Sequence, residues 1–361
     1  MPSHLAMPLC AAAALPHTPQ LLVRPETEDR DMVLRVHAGY ALAKRGLEAA
    51  RPDVICILGG DHIEGFFLTS VPALAVYVGS TVSGKFDRYR YTFDVHEPLA
   101  RAVLEQGIDR GFDLAYSQDL ALDYAFYVPL HFAMPEPRVP IVPLYVNAYL
   151  PPQPTPARCY AWGQALRAIL DARPERVALL ASGGLSHFPG SDRYGSPDYE
   201  WDRQMLDQLV AGRGGETAAL TGEELDKAGN VEFRTWITLV LRHRRRQGEG
   251  DLLRALLAPR QRRRHLARRM SLPYTFPPAA GYPLNRCLYR LKSDDAFRER
   301  YLKDPDGTLR DASLDAGRIA ALRALDRHRL LALGAHAYLV RDQVSHSYIP
   351  GDLCSASDHV P

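Results

Sequence analysis

Asp53-Val54-Ile55-Cys56-Ile57-Leu58-Gly59-Gly60-Asp61-His62 decides how this chain is read. A short, mostly apolar run closed by two glycines has the length and punctuation of a buried strand. Its end delivers Asp61 and His62 into a loop. The pattern recurs at Arg176-Val177-Ala178-Leu179-Leu180-Ala181-Ser182-Gly183-Gly184, which leads to His187, and Pro140-Ile141-Val142-Pro143-Leu144-Tyr145-Val146 reads as a third such strand. The start of the chain, apolar over residues 6–15 without a basic leader, reads as a first strand or its approach, not as a signal peptide. Between these runs residues 31–51, 97–111, 157–172 and 199–210 read as helices. Strands alternating with helices predict an α/β domain with a mostly parallel central sheet flanked by helices. In such sheets the functional residues gather at the carboxyl ends of the strands, where both glycine pairs lie.

A second region follows a Pro/Gly-rich linker over residues 272–283. From residue 284 to about 344 the pattern is helical. Leu309–Asp315 reads as a helix entry with Ser313 as its N-cap, and residues 319–333 as one amphipathic helix stopped by Gly334. The expected organisation is therefore a domain over residues 1–282, a small all-helical C-terminal domain over 283–346, and a polar tail over 347–361.

With 361 residues, 46% hydrophobic and 24% charged, the composition is that of an ordinary globular protein. The net charge of +2 gives no bulk drive toward nucleic acid or a membrane surface. The basic runs Arg242-His243-Arg244-Arg245-Arg246 and Arg260-Gln261-Arg262-Arg263-Arg264-His265 lack interleaved aromatics and read as solvated faces. No apolar run is long enough to span a bilayer. The five cysteines form no CxxC pair, which points away from a zinc cluster or a disulfide framework and toward a reducing, cytoplasmic setting.

Four segments carry chemistry. His17 sits in Leu15-Pro16-His17-Thr18-Pro19, stiffened by proline on both sides. His62 ends the decisive run, with Asp61 or Glu64 as the candidate acceptor for its other ring nitrogen. His187 ends Ser182-Gly183-Gly184-Leu185-Ser186-His187; no lysine follows as a phosphate-binding loop would require. Glu232 lies in Val231-Glu232-Phe233-Arg234-Thr235-Trp236, at a helix start where a carboxylate commonly only complements the dipole. Two imidazoles and a carboxylate form the set that holds Fe(II) with positions left open, and a third histidine is then free to move protons. The aromatic stretch Leu122-Asp123-Tyr124-Ala125-Phe126-Tyr127-Val128-Pro129-Leu130-His131 suits a pocket wall for a flat ring.

Taken together these segments resemble the class III extradiol ring-cleaving dioxygenases of the protocatechuate 4,5-dioxygenase family. Residues 1 to about 280 are similar to its large catalytic subunit. Residues 283–346 are similar to its small helical subunit, fused here at the C-terminus as in gallate dioxygenases, through Leu284-Asn285-Arg286-Cys287-Leu288-Tyr289 and Leu333-Gly334-Ala335-His336-Ala337-Tyr338-Leu339. The resemblance implies that His17, His62 and Glu232 hold Fe(II), Glu232 being matched by its spacing to Trp236. It implies that His187 is the acid/base, and that the enzyme opens an aromatic vicinal diol next to its hydroxyls with O2, in aromatic catabolism. It further implies a homodimer and a lid role for the small domain. Tyr124, His131, Thr275, His336 and Tyr338 are the candidate substrate contacts. Where many relatives carry Asp-His, this chain has Asp123-Tyr124; tyrosine donates a hydrogen bond but carries no positive charge. Both a protocatechuate- or gallate-like catechol and a dihydroxypyridine therefore fit. The competing expectation is a zinc-dependent hydrolase or amidase with the same residues around its metal.

Overall fold

The computed structural model describes residues 9–23, 29–189, 191, 193–194, 196–240 and 278–340. The described chain divides into two compact units.

The first unit is built on a six-stranded sheet in the order β1-β8-β2-β7-β3-β6. Its strands are β1 (Leu9–Leu15), β2 (Val54–Gly59), β3 (Leu74–Tyr77), β6 (Ala115–Ser117), β7 (Ile141–Val146) and β8 (Val177–Ser182). All neighbours run parallel except β3 beside β7. Strands β2, β7 and β8 are buried on both faces, which is why they read as unbroken apolar runs instead of alternating ones. β4 (Thr81–Phe86) and β5 (Tyr89–Asp94) form a separate antiparallel pair.

Helices α1 (Gln20–Val23), α2 (Arg30–Ala50), α3 (Glu97–Asp109), α4 (Tyr124–Ala133), α5 (Pro156–Asp171), α6 (Tyr199–Val210), α7 (Gly222–Ala228) and α8 (Phe233–Leu239) complete this unit. Their starts are marked chemically. Asp29 caps α2, Thr155 with Pro156 opens α5, and Thr221 with Glu224 forms a reciprocal capping box on α7. The α/β class and the four long helices match the sequence reading. The antiparallel pair, β3, β6 and helix α4 were not read from the sequence.

Register decides what the sheet presents. Leu15 pairs with Ser182, Leu58 with Ala181 and Gly59 with Tyr145. The carboxyl ends of the four adjacent strands β1, β8, β2 and β7 are therefore level, and the loops that follow them leave one edge of the sheet together.

The second unit comprises Phe66–Val71, Pro189–Tyr194 and the C-terminal chain described from residue 278. Its helices are α9 (Tyr282–Ser293), α10 (Asp295–Lys303), α11 (Pro305–Asp311), α12 (Ala316–Arg323) and α13 (Arg327–Ala332). Asp294, Asp304, Asp315 and Asp326 each cap the helix that follows. Phe67 stacks on Tyr289 with ring centres 4.4 Å apart.

Two local expectations are corrected here. Residues 319–333 form two helices, because Leu325 takes a left-handed φ of 48° and Asp326 restarts the chain by accepting from Arg329 N. Ser313 is no N-cap: it has φ 62°, and Asp315 accepts from Arg318 N instead. Gly334, with φ 89°, is left-handed as its place after a helix requires. The tail over 347–361 lies outside the described residues.

Candidate metal centre

Each of the four level strand ends contributes one residue. His17 follows β1, where the buried Tyr40 of α2 donates its hydroxyl to Pro16 O and fastens the loop. His17 Nδ1 lies 2.9 Å from Ser182 Oγ. The Ser182 hydroxyl donates its own proton to Ala125 O, so Oγ can only accept from the ring. That places a proton on Nδ1 and turns Nε2 toward Glu232 Oε1, 2.9 Å away.

His62 follows β2 and is oriented by the same logic. Its Nδ1–H donates to Asp123 Oδ1 at 2.8 Å, and its backbone N–H donates to Asp123 Oδ2 at 2.8 Å. Asp123 also caps α4 by accepting from Ala125 N. One buried carboxylate thus starts a helix and aims an imidazole. Neither neighbour in sequence plays this part: the Asp61 carboxylate accepts from Glu64 N and Gly65 N and shapes its own loop. Nε2 of His62 lies 3.0 Å from Glu232 Oε1. Burial opposes charge on His62, but Asp123, and then Glu232, outweigh it and raise the pKa to about 9.

Glu232 precedes α8 and is 2% exposed. Burial would lift its pKa, yet His17 and His62 hold it well below the ordinary carboxylate range. Its two oxygens face different partners. Oε1 meets both imidazoles, while Oε2 lies 3.9 Å from His187 Nε2. Gly184 permits this approach, since a Cβ there would come within 2.8 Å of Oε2.

His187 follows β8. Its Nδ1–H donates to Leu185 O at 2.7 Å, which leaves Nε2 turned toward Glu232. Its surroundings disfavour charge and lower its pKa, with the facing Glu232 partly countering, although the side chain keeps 28% exposure. Both loop histidines precede a strained residue: Ile63 has φ 58° and Phe188 φ 44°. Left-handed backbone at such apolar residues persists only where surroundings over-determine it. Here Phe188 packs on Gly229, and His187 N and Phe188 N both donate to Gly229 O.

His17 Nε2, His62 Nε2 and Glu232 Oε1 are thus a buried trio whose ligand atoms lie within 4.8 Å of one another. Two ligand atoms each about 2.1 Å from an ion, at right angles, lie about 3.0 Å apart. The two imidazole-to-carboxylate separations match that spacing.

Tyr124, at the start of α4, stacks on His62 with centres 4.1 Å apart. His131 lies two turns further along α4, is exposed and meets Tyr91 Oη through Nδ1; the structure does not bring it to this cluster. In the second unit His336 and Tyr338 are buried, and Tyr338 N donates to His336 Nδ1. Thr275 lies outside the described residues. Sequence reasoning missed Ser182, Asp123 and Tyr149. The hydroxyl of Tyr149, beyond β7, meets His62 Nε2 at 2.9 Å and Glu232 Oε1.

The family model of the catalytic LigB subunit of aromatic ring-opening dioxygenase matches residues 11–242. The chain belongs to that family. The model of the LigA subunit of the LigAB enzyme matches residues 284–344, so catalytic and small subunits are fused in one polypeptide. A gallate dioxygenase of Pseudomonas putida (strain KT2440) is 32% identical over 275 residues, covering 66% of this chain and 81% of that enzyme. A 2,3-dihydroxyphenylpropionate/2,3-dihydroxicinnamic acid 1,2-dioxygenase of Klebsiella pneumoniae (strain 342) is 29% identical over 272 residues, covering 62% of this chain and 86% of that enzyme. The protein is a ring-cleaving extradiol dioxygenase, which sets aside the hydrolase alternative. Among the described residues no helix is long and apolar enough to cross a membrane.

Proposed function

We propose that the protein opens an aromatic vicinal diol beside its hydroxyls, using Fe(II) held by His17, His62 and Glu232. The observation that carries this reading is the convergence of both Nε2 atoms on one carboxylate oxygen, each ring's Nδ1–H being held on the far side. With the Nε2 proton of His62 displaced by the ion, two neutral nitrogens and one carboxylate oxygen suit Fe(II), and three protein ligands leave positions for a diol and O2. Bound there, Fe(II) would supply the charge that acidifies the diol hydroxyls and a path by which electron density passes from the diol ring to O2.

The chain's residues then divide the labour. Ser182 and Asp123 hold the imidazoles in their ligating tautomers. His187 takes a proton from a substrate hydroxyl at Nε2 and returns it as the ring opens. Burial lowers its pKa, which favours the unprotonated form that a base requires. Leu185 O keeps the ring turned the right way throughout. Tyr124 lies flat on His62 and offers a neutral hydroxyl to the substrate ring. The named substrates of the two relatives are carboxylate-bearing catechols, and such a catechol or a dihydroxypyridine is the substrate class proposed here.

The test is O2 uptake by anaerobically prepared, Fe(II)-loaded enzyme against gallate, protocatechuate, 2,3-dihydroxyphenylpropionate and dihydroxypyridines, with ultraviolet–visible spectra recorded alongside. Uptake with one diol and a new ring-opened chromophore is expected. Equal rates with Fe(II) and Zn(II) would overturn the assignment of iron.

A further inference from the structure

We propose that Tyr149 is a fourth protein group of the metal centre: a positioning residue whose hydroxyl holds Glu232 Oε1 toward His17 and His62. This rests on the metal site proposed above and extends it.

Tyr149 is completely buried. It lies three residues beyond β7, and Asn147 secures its turn. Asn147 N donates to Ala73 O at 3.0 Å, and its side chain accepts from Leu150 N at 3.1 Å and donates to Leu150 O. The ring rests against His62 with centres 4.7 Å apart. A buried phenol needs a partner, and this one meets two ligand atoms, His62 Nε2 and Glu232 Oε1.

Three groups surround Glu232 Oε1: two imidazole nitrogens and the phenol. When the nitrogens give their lone pairs to a metal ion they have no proton to offer at Nε2. The phenol alone then still donates to the carboxylate. That hydrogen bond fixes which oxygen faces the metal and leaves Oε2 on the side of His187.

The experiment is Tyr149→Phe in the full-length chain, which keeps the ring and removes only the hydroxyl. The metal-free protein is titrated with Co(II) against a competing chromophoric chelator, and the visible Co(II) bands are recorded. Loss of a hydrogen bond to a ligating group typically weakens metal affinity about 10–100-fold. That loss, with altered band intensity, is expected for Tyr149→Phe. A Tyr149→Phe protein with wild-type affinity and bands would overturn the proposal. A wild-type chain that takes up no Co(II), or a His17→Ala chain that binds it equally well, would instead overturn the metal site on which it rests.

Discussion

Ser182→Ala isolates the idea that hydrogen bonds behind the imidazoles decide their fitness as ligands. In the wild type His17 Nδ1–H is accepted by Ser182 Oγ, whose own proton is held by Ala125 O. Alanine removes that acceptor from the buried ring's Nδ1–H. The neutral imidazole can then move its proton to Nε2, where Glu232 Oε1 accepts it. Metal binding must reverse that shift and strand Nδ1–H again. A buried donor without a partner costs about 1–3 kcal/mol, which is about 5- to 150-fold in a dissociation constant at about 1.4 kcal/mol per tenfold. Metal affinity should fall by that factor, measured by anaerobic Fe(II) or Co(II) titration against a chelator. Turnover at saturating metal should stay near the wild-type value, because all three ligands remain. Thermal melts of the metal-free chain give the separate loss from Ala125 O. A lower melting temperature with unchanged metal affinity would refute the reasoning and make Ser182 a packing residue only.

Three further outcomes follow from the geometry. His187→Ala should retain one metal per chain by elemental analysis yet lose about 10²–10⁴-fold in turnover; loss of metal would remove its acid/base role. Gly229→Ala forces a Cβ to within 2.4 Å of the Phe188 ring at a φ of 67°. It should destabilise the chain by more than about 1 kcal/mol and, by shifting the His187 loop, depress turnover more than metal affinity. Asp226 keeps an unpartnered buried oxygen, and burial raises its pKa, with Arg234 partly countering. Its contribution to stability is therefore full below the unfolded carboxylate pKa and declines as pH rises through the folded one. Asp226→Asn should raise the melting temperature at pH 7, with the gain vanishing near pH 4; an equal gain at both pH values would contradict the cause given.

What the sequence disclosed and what it withheld divide along one physical line. His17, His62 and His187 were legible because each stands just past a strand, the last two behind a glycine pair, and a strand's carboxyl end points where a parallel sheet gathers its loops. Residues 140–146 were read as the same kind of strand, and the same rule applied one step further reaches Tyr149. It was passed over because a tyrosine among apolar neighbours looks like core until its hydroxyl's partners are known. Asp123 and Ser182 were hidden for a stronger reason: each acts on a histidine 61 or 165 residues away, and no local pattern encodes that pairing. Adjacency instead misdirected the reading to Asp61, whose oxygens are taken by amides of its own loop. The same limit explains residues 319–333. Amphipathic periodicity survives a one-residue break, so the pattern cannot reveal Leu325 turning left-handed; only Asp326, a cap residue in mid-pattern, marks it. Strand ends and caps are local chemistry and can be read in one dimension. The orientation of a ligand depends on who stands behind it, and that is settled only when β1, β8 and β2 lie side by side with α4 started by Asp123.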